Sequence, residues 1–147
     1  MTFTHSHTQA STPVPPVFDP IAFKATTRKQ RDNAAQAWTD WGGFLTRWLG
    51  PATETMLDMV RVAEGSRVLD IAAGAGEQTL SAARRVGPGG YVLATDLSPN
   101  ILALAAENAR SAGYSEIETQ VIDGECIDEV EAGLFDAVIS RVGLIYF

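Results

Sequence analysis

The sequence predicts a protein of the α/β class, in which helices pack against a parallel sheet. Four short runs, at residues 67–71, 91–95, 117–122 and 135–140, have the length and the branched apolar composition of buried strands. Segments with the apolar spacing of helices lie between the first three runs. This alternation of strands and helices favours right-handed crossovers that leave all four strands parallel.

The strongest local signal is the turn that follows the first strand. Gly74 and Gly76 come soon after residues 67–71, and apolar residues with helical spacing begin near Thr79. Glycine permits a tight turn and lets a ligand come close to the backbone. A strand, a glycine turn and a helix form the opening of a nucleotide-binding βαβ unit, although two glycines alone are a weak signal.

Turn and cap residues delimit the other elements. Residues 87–90, Gly-Pro-Gly-Gly, end the helix that follows the glycine turn. Ser98-Pro99 supplies a cap and a first-turn proline for the next helix, which Gly113 stops. Residues 125–133 are acidic, and we expect at most a short helix there before the fourth strand.

A mostly helical region is predicted at residues 19–64, ahead of the sheet. Asp19-Pro20 has the form of a helix start, with a capping carboxylate and a proline in the first turn. Gly42-Gly43 and Gly50-Pro51 are expected to divide the region into separate helices. All three tryptophans lie here, and packing in the core is favoured over a lid above a ligand site: Trp38, Trp41 and Trp48.

Residues 1–18 are predicted to be a disordered tail, which leaves residues 65–147 as the sheet domain. The tail is rich in Ser, Thr and Pro and lacks the hydrophobic run of a signal peptide. Both histidines lie in it, and His5 and His7 have no further ligands with which to hold a metal. Because the rest of the sequence has no histidine, a Ser-His or Cys-His nucleophilic site is excluded.

Composition and charge limit the classes of function. The 147 residues suit one domain, and 46% hydrophobic with 20% charged residues is typical of a soluble globular protein. A net charge of −7 argues against a nucleic-acid partner, which requires a basic face. No apolar stretch is long enough to span a bilayer. The single cysteine, Cys126, forms neither an internal disulfide nor a zinc cluster, so a cytoplasmic location is expected.

Three aspartates stand at or near the ends of the first three predicted strands: Asp70, Asp96 and Asp123. Because the carboxyl ends of parallel strands meet at one edge, we expect them to surround the glycine turn. That turn has no lysine or arginine, and Thr79 replaces the third glycine of a dinucleotide-binding fingerprint, so a pyrophosphate fits poorly. A ligand with hydroxyls, an exocyclic amine and a positive centre fits better, and S-adenosylmethionine has all three.

Four motifs, in order, resemble those of the class I S-adenosylmethionine-dependent methyltransferases. They are the glycine-turn motif at 68–80, the acidic loop at 94–98, the adenine segment at 121–124 and the fourth strand with its exit at 135–141. Residues 85–90 also resemble the methyltransferase type 11 group of ubiquinone and menaquinone biosynthesis. The resemblance covers residues 66–147 and implies a Rossmann-like sheet whose first four strands have the order 3-2-1-4.

The resemblance implies S-adenosylmethionine as cofactor and S-adenosylhomocysteine as product, with the methionine part at the glycine turn. Gly74 and Gly76 would let the backbone approach it. Asp70 would orient the turn and contact the amine of the cofactor, directly or through water, and Arg141 would line the methionine end. Ala72 stands where the family usually has glycine, and its methyl group is expected to tighten the turn.

At the adenosine end, the resemblance assigns four residues. Asp96 would accept hydrogen bonds from the ribose hydroxyls, and Leu97 would pack on the adenine. Asp123, beside Gly124, would accept from the adenine amino group.

The implied reaction is in-line transfer of the sulfonium methyl group to an unidentified small-molecule acceptor. Such transfer depends mainly on positioning, and it needs a general base only if the acceptor must lose a proton. Asp136, Glu125 and Tyr146 are candidates for that base, but positions at a strand edge, in a loop and in the core explain them better.

Members of this family continue beyond the fourth strand, so we expect the chain to be an amino-terminal portion, truncated after that strand. The fourth strand would then form an open edge that invites self-association. Two alternatives remain open: a non-catalytic fragment that binds the cofactor or itself, and an NAD-dependent oxidoreductase. Asp70, Asp123 and Thr79 argue against the second alternative.

Overall fold

The computed structural model describes residues 17–131 and 133–146. The predicted tail, with His5 and His7, therefore lies almost wholly outside the described residues. The first element is one long helix, α1 (Pro20–Met59). Asp19 caps it as predicted, because its Oδ1 accepts hydrogen bonds from the N–H groups of Ile21 and Ala22 at 3.0 and 3.1 Å.

The predicted breaks in this helical region are wrong, since α1 passes through both Gly42-Gly43 and Gly50-Pro51. A proline inside a helix costs about 3 kcal/mol and each glycine about 1 kcal/mol relative to alanine. Contacts with the rest of the fold, made by residues before and after the two predicted breaks, override these preferences. Leu57 is fully buried in the core, and Asp32 accepts a 2.5 Å hydrogen bond from the Ser98 hydroxyl.

The sheet has four strands, all parallel, in the order β3-β2-β1-β4, as predicted. The strands are β1 (Arg67–Ile71), β2 (Tyr91–Asp96), β3 (Ile117–Val121) and β4 (Ala137–Ile139). Helix α2 (Glu77–Val86) connects β1 to β2, and α3 (Pro99–Ser111) connects β2 to β3. Asp70 pairs in register with Ala94 and Ile139, so β1 lies inside the sheet at the point where its carboxyl end meets the glycine turn.

Helix starts follow the sequence signals. Ser98 caps α3 through a 3.3 Å hydrogen bond from the Ile101 N–H, and Pro99 is the first helical residue. Gly76 is the cap residue that precedes α2, and its φ of 91° is left-handed. Two short 3₁₀ helices, Gly124–Glu129 and Gly143–Tyr146, follow β3 and β4.

The main core joins the end of α1 to α2 and the sheet. Its buried members are Leu57, Val62, Val68, Ala82, Ala83, Val86, Val92, Ala137 and Ile139. The carboxyl end of α1 is therefore fixed by apolar packing. Within the described residues, none of the helices has both the length and the apolar composition to cross a membrane.

Candidate functional site

The glycine turn contains a strained alanine. Ala72 has a φ of 56°, in the left-handed region where a non-glycine residue costs about 1–2 kcal/mol. Its methyl group faces Gly143, because a Cβ built on Gly143 would lie 2.5 Å from the Ala72 Cβ. A glycine on the opposite segment therefore makes room for the methyl group that replaces the usual glycine.

The two glycines of the turn do different things. A Cβ added to Gly74, whose φ is 61°, would have no neighbouring atom within 4 Å, and this residue lines a cavity. A Cβ on Gly76 would lie 3.1 Å from the Cβ of Ala105 and 3.3 Å from its Cα. Gly76 therefore lets α3 pack against the start of α2, and Gly74 is the glycine that faces open space.

Asp70 lies behind the turn and is completely buried. Its Oδ1 accepts a hydrogen bond from Gln78 Nε2 and its Oδ2 accepts one from Thr79 Oγ1, both at 2.6 Å. Burial raises the pKa of this carboxyl to about 7, although the two hydrogen bonds and the charge of Arg141 oppose the rise. The position suits the predicted role of orienting the turn against α2.

Asp96 connects the end of β2 to the glycine turn. Its Oδ2 accepts from the Gly74 N–H and its Oδ1 from the Ser98 N–H, each at 3.0 Å. The residue is only 6% exposed. Since a carboxylate has about four acceptor sites and these bonds use two, Asp96 retains capacity for further donors.

Asp123 is held by a residue that no sequence pattern predicts. Lys24, on α1, lies 2.7 Å from Asp123 Oδ2 and 2.7 Å from Glu125 Oε2. The Glu125 N–H donates to Asp123 Oδ1 at 3.0 Å. Burial by itself raises the pKa of Asp123, but these hydrogen bonds and the charge of Lys24 lower it below its ordinary value. Lys24 is 99 residues away in sequence, so no local pattern could reveal the contact.

Two adjoining cavities run along this edge of the sheet. The smaller, about 40 Å³, is lined by Lys24, Thr27, Arg31, Ala72, Asp96, Leu97, Ile122, Asp123, Gly124 and Gly143. The larger, about 230 Å³, is lined by Arg31, Trp38, Leu45, Trp48, Leu49, Ala72, Ala73, Gly74, Glu77, Gln78, Arg141, Val142 and Gly143. Arg31, Ala72 and Gly143 line both, so the two cavities meet there. Of the nine residues implied by the resemblance, Asp70 and Gly76 are absent from these walls.

Arg141 and Glu77 place opposite charges on the larger cavity. Arg141 Nη1 donates to the Thr53 hydroxyl at 2.7 Å, but its Nε is buried without a hydrogen-bond partner among the described residues. Burial lowers the pKa of Arg141, against the charges of Glu77 and Asp70. Burial raises the pKa of Glu77, and the charge of Arg141 opposes that rise.

Helix α1 forms the outer wall of both cavities. The core-packing interpretation of the tryptophans is wrong for Trp41 and Trp48, which are 62% and 66% exposed. Trp38 and Trp48 instead line the larger cavity. An aromatic residue at helical spacing has the same sequence signature on a core face and on a cavity wall, so the sequence could not separate the two.

Among the described residues, none of the three candidate bases lines the larger cavity. Asp136 accepts a 2.8 Å hydrogen bond from the N–H of Arg67, at the opposite edge of the sheet. Glu125 is paired with Lys24. The side chain of Tyr146 lies outside the part of the chain that the structure describes. Across residues 17–131 and 133–146, no group of three or more His, Cys, Asp or Glu side chains could hold a metal ion.

This chain is similar to a known protein family and to several curated proteins. Residues 68–147 match a family described as methyltransferase domain. An uncharacterised protein of Mycobacterium tuberculosis is 33% identical over 122 residues, which cover 83% of this chain and 41% of that protein. A demethylmenaquinone methyltransferase of Bacillus cytotoxicus is 35% identical over 92 residues, which cover 62% of this chain and 38% of that enzyme. The chain thus spans less than half the length of these curated relatives.

One solved structure has a similar fold over part of this chain. It is a SAM-dependent O-methyltransferase from Thermotoga maritima, with a TM-score of 0.56 and 28% identity. The match covers 63% of this chain and 34% of that chain.

Proposed function

This chain belongs to the class I S-adenosylmethionine-dependent methyltransferases, and on that premise we propose that it binds S-adenosylmethionine along the carboxyl edge of β1, β2 and β3. It would supply the cofactor-binding part of a methyl transfer to a small-molecule acceptor. A nucleic-acid acceptor fits poorly with a net charge of −7. The cytoplasm is the proposed location, since one cysteine in 147 residues gives no sign of a disulfide framework.

The observation that carries this proposal is the division of the expected residues between two joined cavities. Those assigned to the adenosine end line the smaller cavity: Asp96, Leu97, Asp123 and Gly124. Those assigned to the methionine end line the larger one: Gly74 and Arg141. Ala72 lies on both walls, at the junction of the two cavities.

The chemistry of these walls fits the cofactor. Asp96 has acceptor sites left for two ribose hydroxyls after its bonds to Gly74 and Ser98. The buried Nε of Arg141 lacks an acceptor among the described residues, and the carboxylate of the methionine part would provide one. The open space beside Gly74 lets the backbone meet the ligand without a side chain between them.

In the proposed mechanism the protein acts mainly by positioning the cofactor for in-line transfer to the acceptor. When bound, the cofactor supplies a methyl group on a positively charged sulfur. The hydrogen bond from the Gly74 N–H to Asp96 Oδ2 fixes the turn beside the carboxylate that would hold the ribose hydroxyls. Trp38, Leu45 and Leu49 provide an apolar wall that excludes water from the larger cavity.

Calorimetric titration of the chain with S-adenosylhomocysteine tests this function. We expect a dissociation constant in the micromolar range, about −8 kcal/mol. Asp96→Ala should weaken binding at least about tenfold, or 1.4 kcal/mol, because it removes the ribose acceptor and the bond to Gly74. Asp128→Ala, at an exposed residue outside both cavities, is the control and should bind like the wild type. Circular dichroism shows whether each variant is folded. A folded wild type that does not bind would reject the proposal.

We also infer that β4 can pair with a second copy of the chain. Within the described residues, β4 pairs only with β1, and Val138 is 53% exposed on this edge strand. Unpaired strand edges recruit further strands unless charges or prolines protect them. Light scattering should show a dimer whose fraction rises with concentration, and Val138→Lys should shift it to monomer. A wild type that is monomeric at every concentration would exclude this association.

A further inference from the structure

The larger cavity has two chemically different walls. Helix α2 and the segment after β4 contribute charged or amide side chains to one wall: Glu77, Gln78 and Arg141. Apart from Arg31, the side chains that α1 contributes to the other wall are apolar: Trp38, Leu45, Trp48 and Leu49. The proposed function places the methionine end of the cofactor at Gly74 and Arg141, so the apolar wall of α1 has no ligand assigned to it.

A groove on α1 continues this apolar wall. It has a volume of about 190 Å³ and is lined by Ala37, Trp38, Trp41 and Leu45, and we call it the α1 groove. Trp38 and Leu45 also line the larger cavity, so the two spaces share these side chains. The Arg31 guanidinium carbon lies 5.8 Å from the centroid of the Trp38 ring, a contact that restrains the shared ring.

The aromatic rings along this face of α1 are exposed and contact one another. The centroid of the Phe44 ring lies 6.1 Å from that of Trp41 and 6.1 Å from that of Trp48. The three residues are between 49% and 66% exposed. Single exposed apolar residues are common, but a contiguous exposed apolar surface marks a binding site. Because Trp38, Leu45 and Trp48 carry this surface into the larger cavity, a ligand that reaches the cavity explains it better than a separate partner does.

We propose that the α1 groove and the apolar wall of the larger cavity bind the methyl acceptor, and that this acceptor is an uncharged molecule with a flat apolar ring system. The inference rests on the proposed function and names the substrate class of the same site. Flat rings pack well against indole rings, edge to face or offset. The side chains that line the α1 groove offer only indole N–H groups for hydrogen bonding, so a charged or sugar-like body would lose water there without replacement.

Trp41→Ala separates acceptor binding from cofactor binding, because Trp41 lines the α1 groove but neither of the other two cavities. The probe is 2-naphthol, an uncharged molecule with two fused rings, titrated calorimetrically with and without saturating S-adenosylhomocysteine. We expect a dissociation constant below about 1 mM for the wild type, as suits so small a ligand. Trp41→Ala should weaken 2-naphthol at least about fivefold and change S-adenosylhomocysteine less than about twofold.

Two controls accompany this variant. Phe23→Ala removes another exposed aromatic ring of α1, one that lines none of these three cavities, and both affinities should stay unchanged. The second control is myo-inositol, a ring with a hydroxyl on each carbon, which should not bind measurably. Circular dichroism shows whether each variant is folded.

The outcomes separate this inference from the proposed function. A wild type that binds S-adenosylhomocysteine but not 2-naphthol would overturn the acceptor assignment alone. So would 2-naphthol binding that Trp41→Ala leaves unchanged, or equal binding of myo-inositol.

Light scattering gives a further way to overturn the assignment. A dimer that Trp41→Ala, but not Val138→Lys, converts to monomer would show that a second copy of the chain covers the aromatic face. A folded wild type that does not bind S-adenosylhomocysteine would reject the proposed function, and the acceptor assignment with it, whether or not 2-naphthol binds.

Discussion

Asp70 lies near the end of β1 and Asp123 lies just after the end of β3, yet the two carboxyl groups differ in burial, in hydrogen-bond partners and in the direction of the pKa shift. Asp70, in β1, is completely buried, and its oxygens are bonded to neutral donors on α2. Asp123, just after β3, is partly exposed and forms an ion pair with Lys24 of α1. Burial raises the pKa of Asp70, whereas the pKa of Asp123 is lowered in spite of burial.

The difference teaches that a strand-end position does not define the role of an acid. β1 is flanked by β2 and β4 and covered by α2, so a carboxylate there loses water and gains only uncharged partners. β3 is an edge strand, and the segment after it remains open to a lysine from a distant helix. Asp70 is therefore bonded to α2 behind the turn, while Asp123 lies on a cavity wall beside a lysine.

The largest expected effect concerns the pH dependence of stability through Asp70. Its folded pKa of about 7 lies above its ordinary value of 3.8, so folding takes up a proton between these two values. The stability contributed by this group is complete below pH 3.8 and is lost as the pH rises through 7, by about 2–4 kcal/mol. Asp70→Asn removes this loss, so the variant should gain stability relative to the wild type between about pH 5 and pH 8. Urea denaturation at several pH values measures the difference.

Asp123→Asn is the matched control for that experiment. Because its folded pKa is lowered, the stability from Asp123 is present above its ordinary value of 3.8 and is lost only as the pH falls through the folded pKa. The stability gap between this variant and the wild type should therefore stay constant from about pH 5 to pH 8. If the Asp70→Asn gap were equally constant, burial would not be controlling the pKa of Asp70.

Local signals explain what the sequence predicted correctly. The strand order, the cap at Ser98-Pro99 and the start of α1 at Asp19-Pro20 depend on short segments or on the family resemblance, and all are confirmed. The family and its cofactor, S-adenosylmethionine, are likewise confirmed by the match over residues 68–147. The roles of the individual site residues stay predictions.

The parts that the sequence missed depend on contacts between distant segments. Gly143 makes room for the methyl group of Ala72, and Lys24 reaches Asp123, although neither contact leaves a local pattern. The glycines and proline of α1 signalled breaks that tertiary contacts override. The sequence does not predict that Glu77 lines a cavity, because its position on the wall follows from where α1 and Arg141 lie.

The smallest expected effect concerns the ion pair between Lys24 and Asp123. Lys24→Met removes the ammonium group that contacts Asp123 and Glu125, while its apolar stem keeps a similar length. Because the ion pair is partly exposed to solvent, the thermal midpoint should fall by no more than about 2 °C at low salt. At about 1 M salt, where charges are screened beyond about 3 Å, the wild type and the variant should unfold together. A difference in thermal midpoint that persists at high salt would mean that Lys24 stabilises the fold by packing and not by its charge. Asp123 would then resemble Asp70 in depending on uncharged contacts.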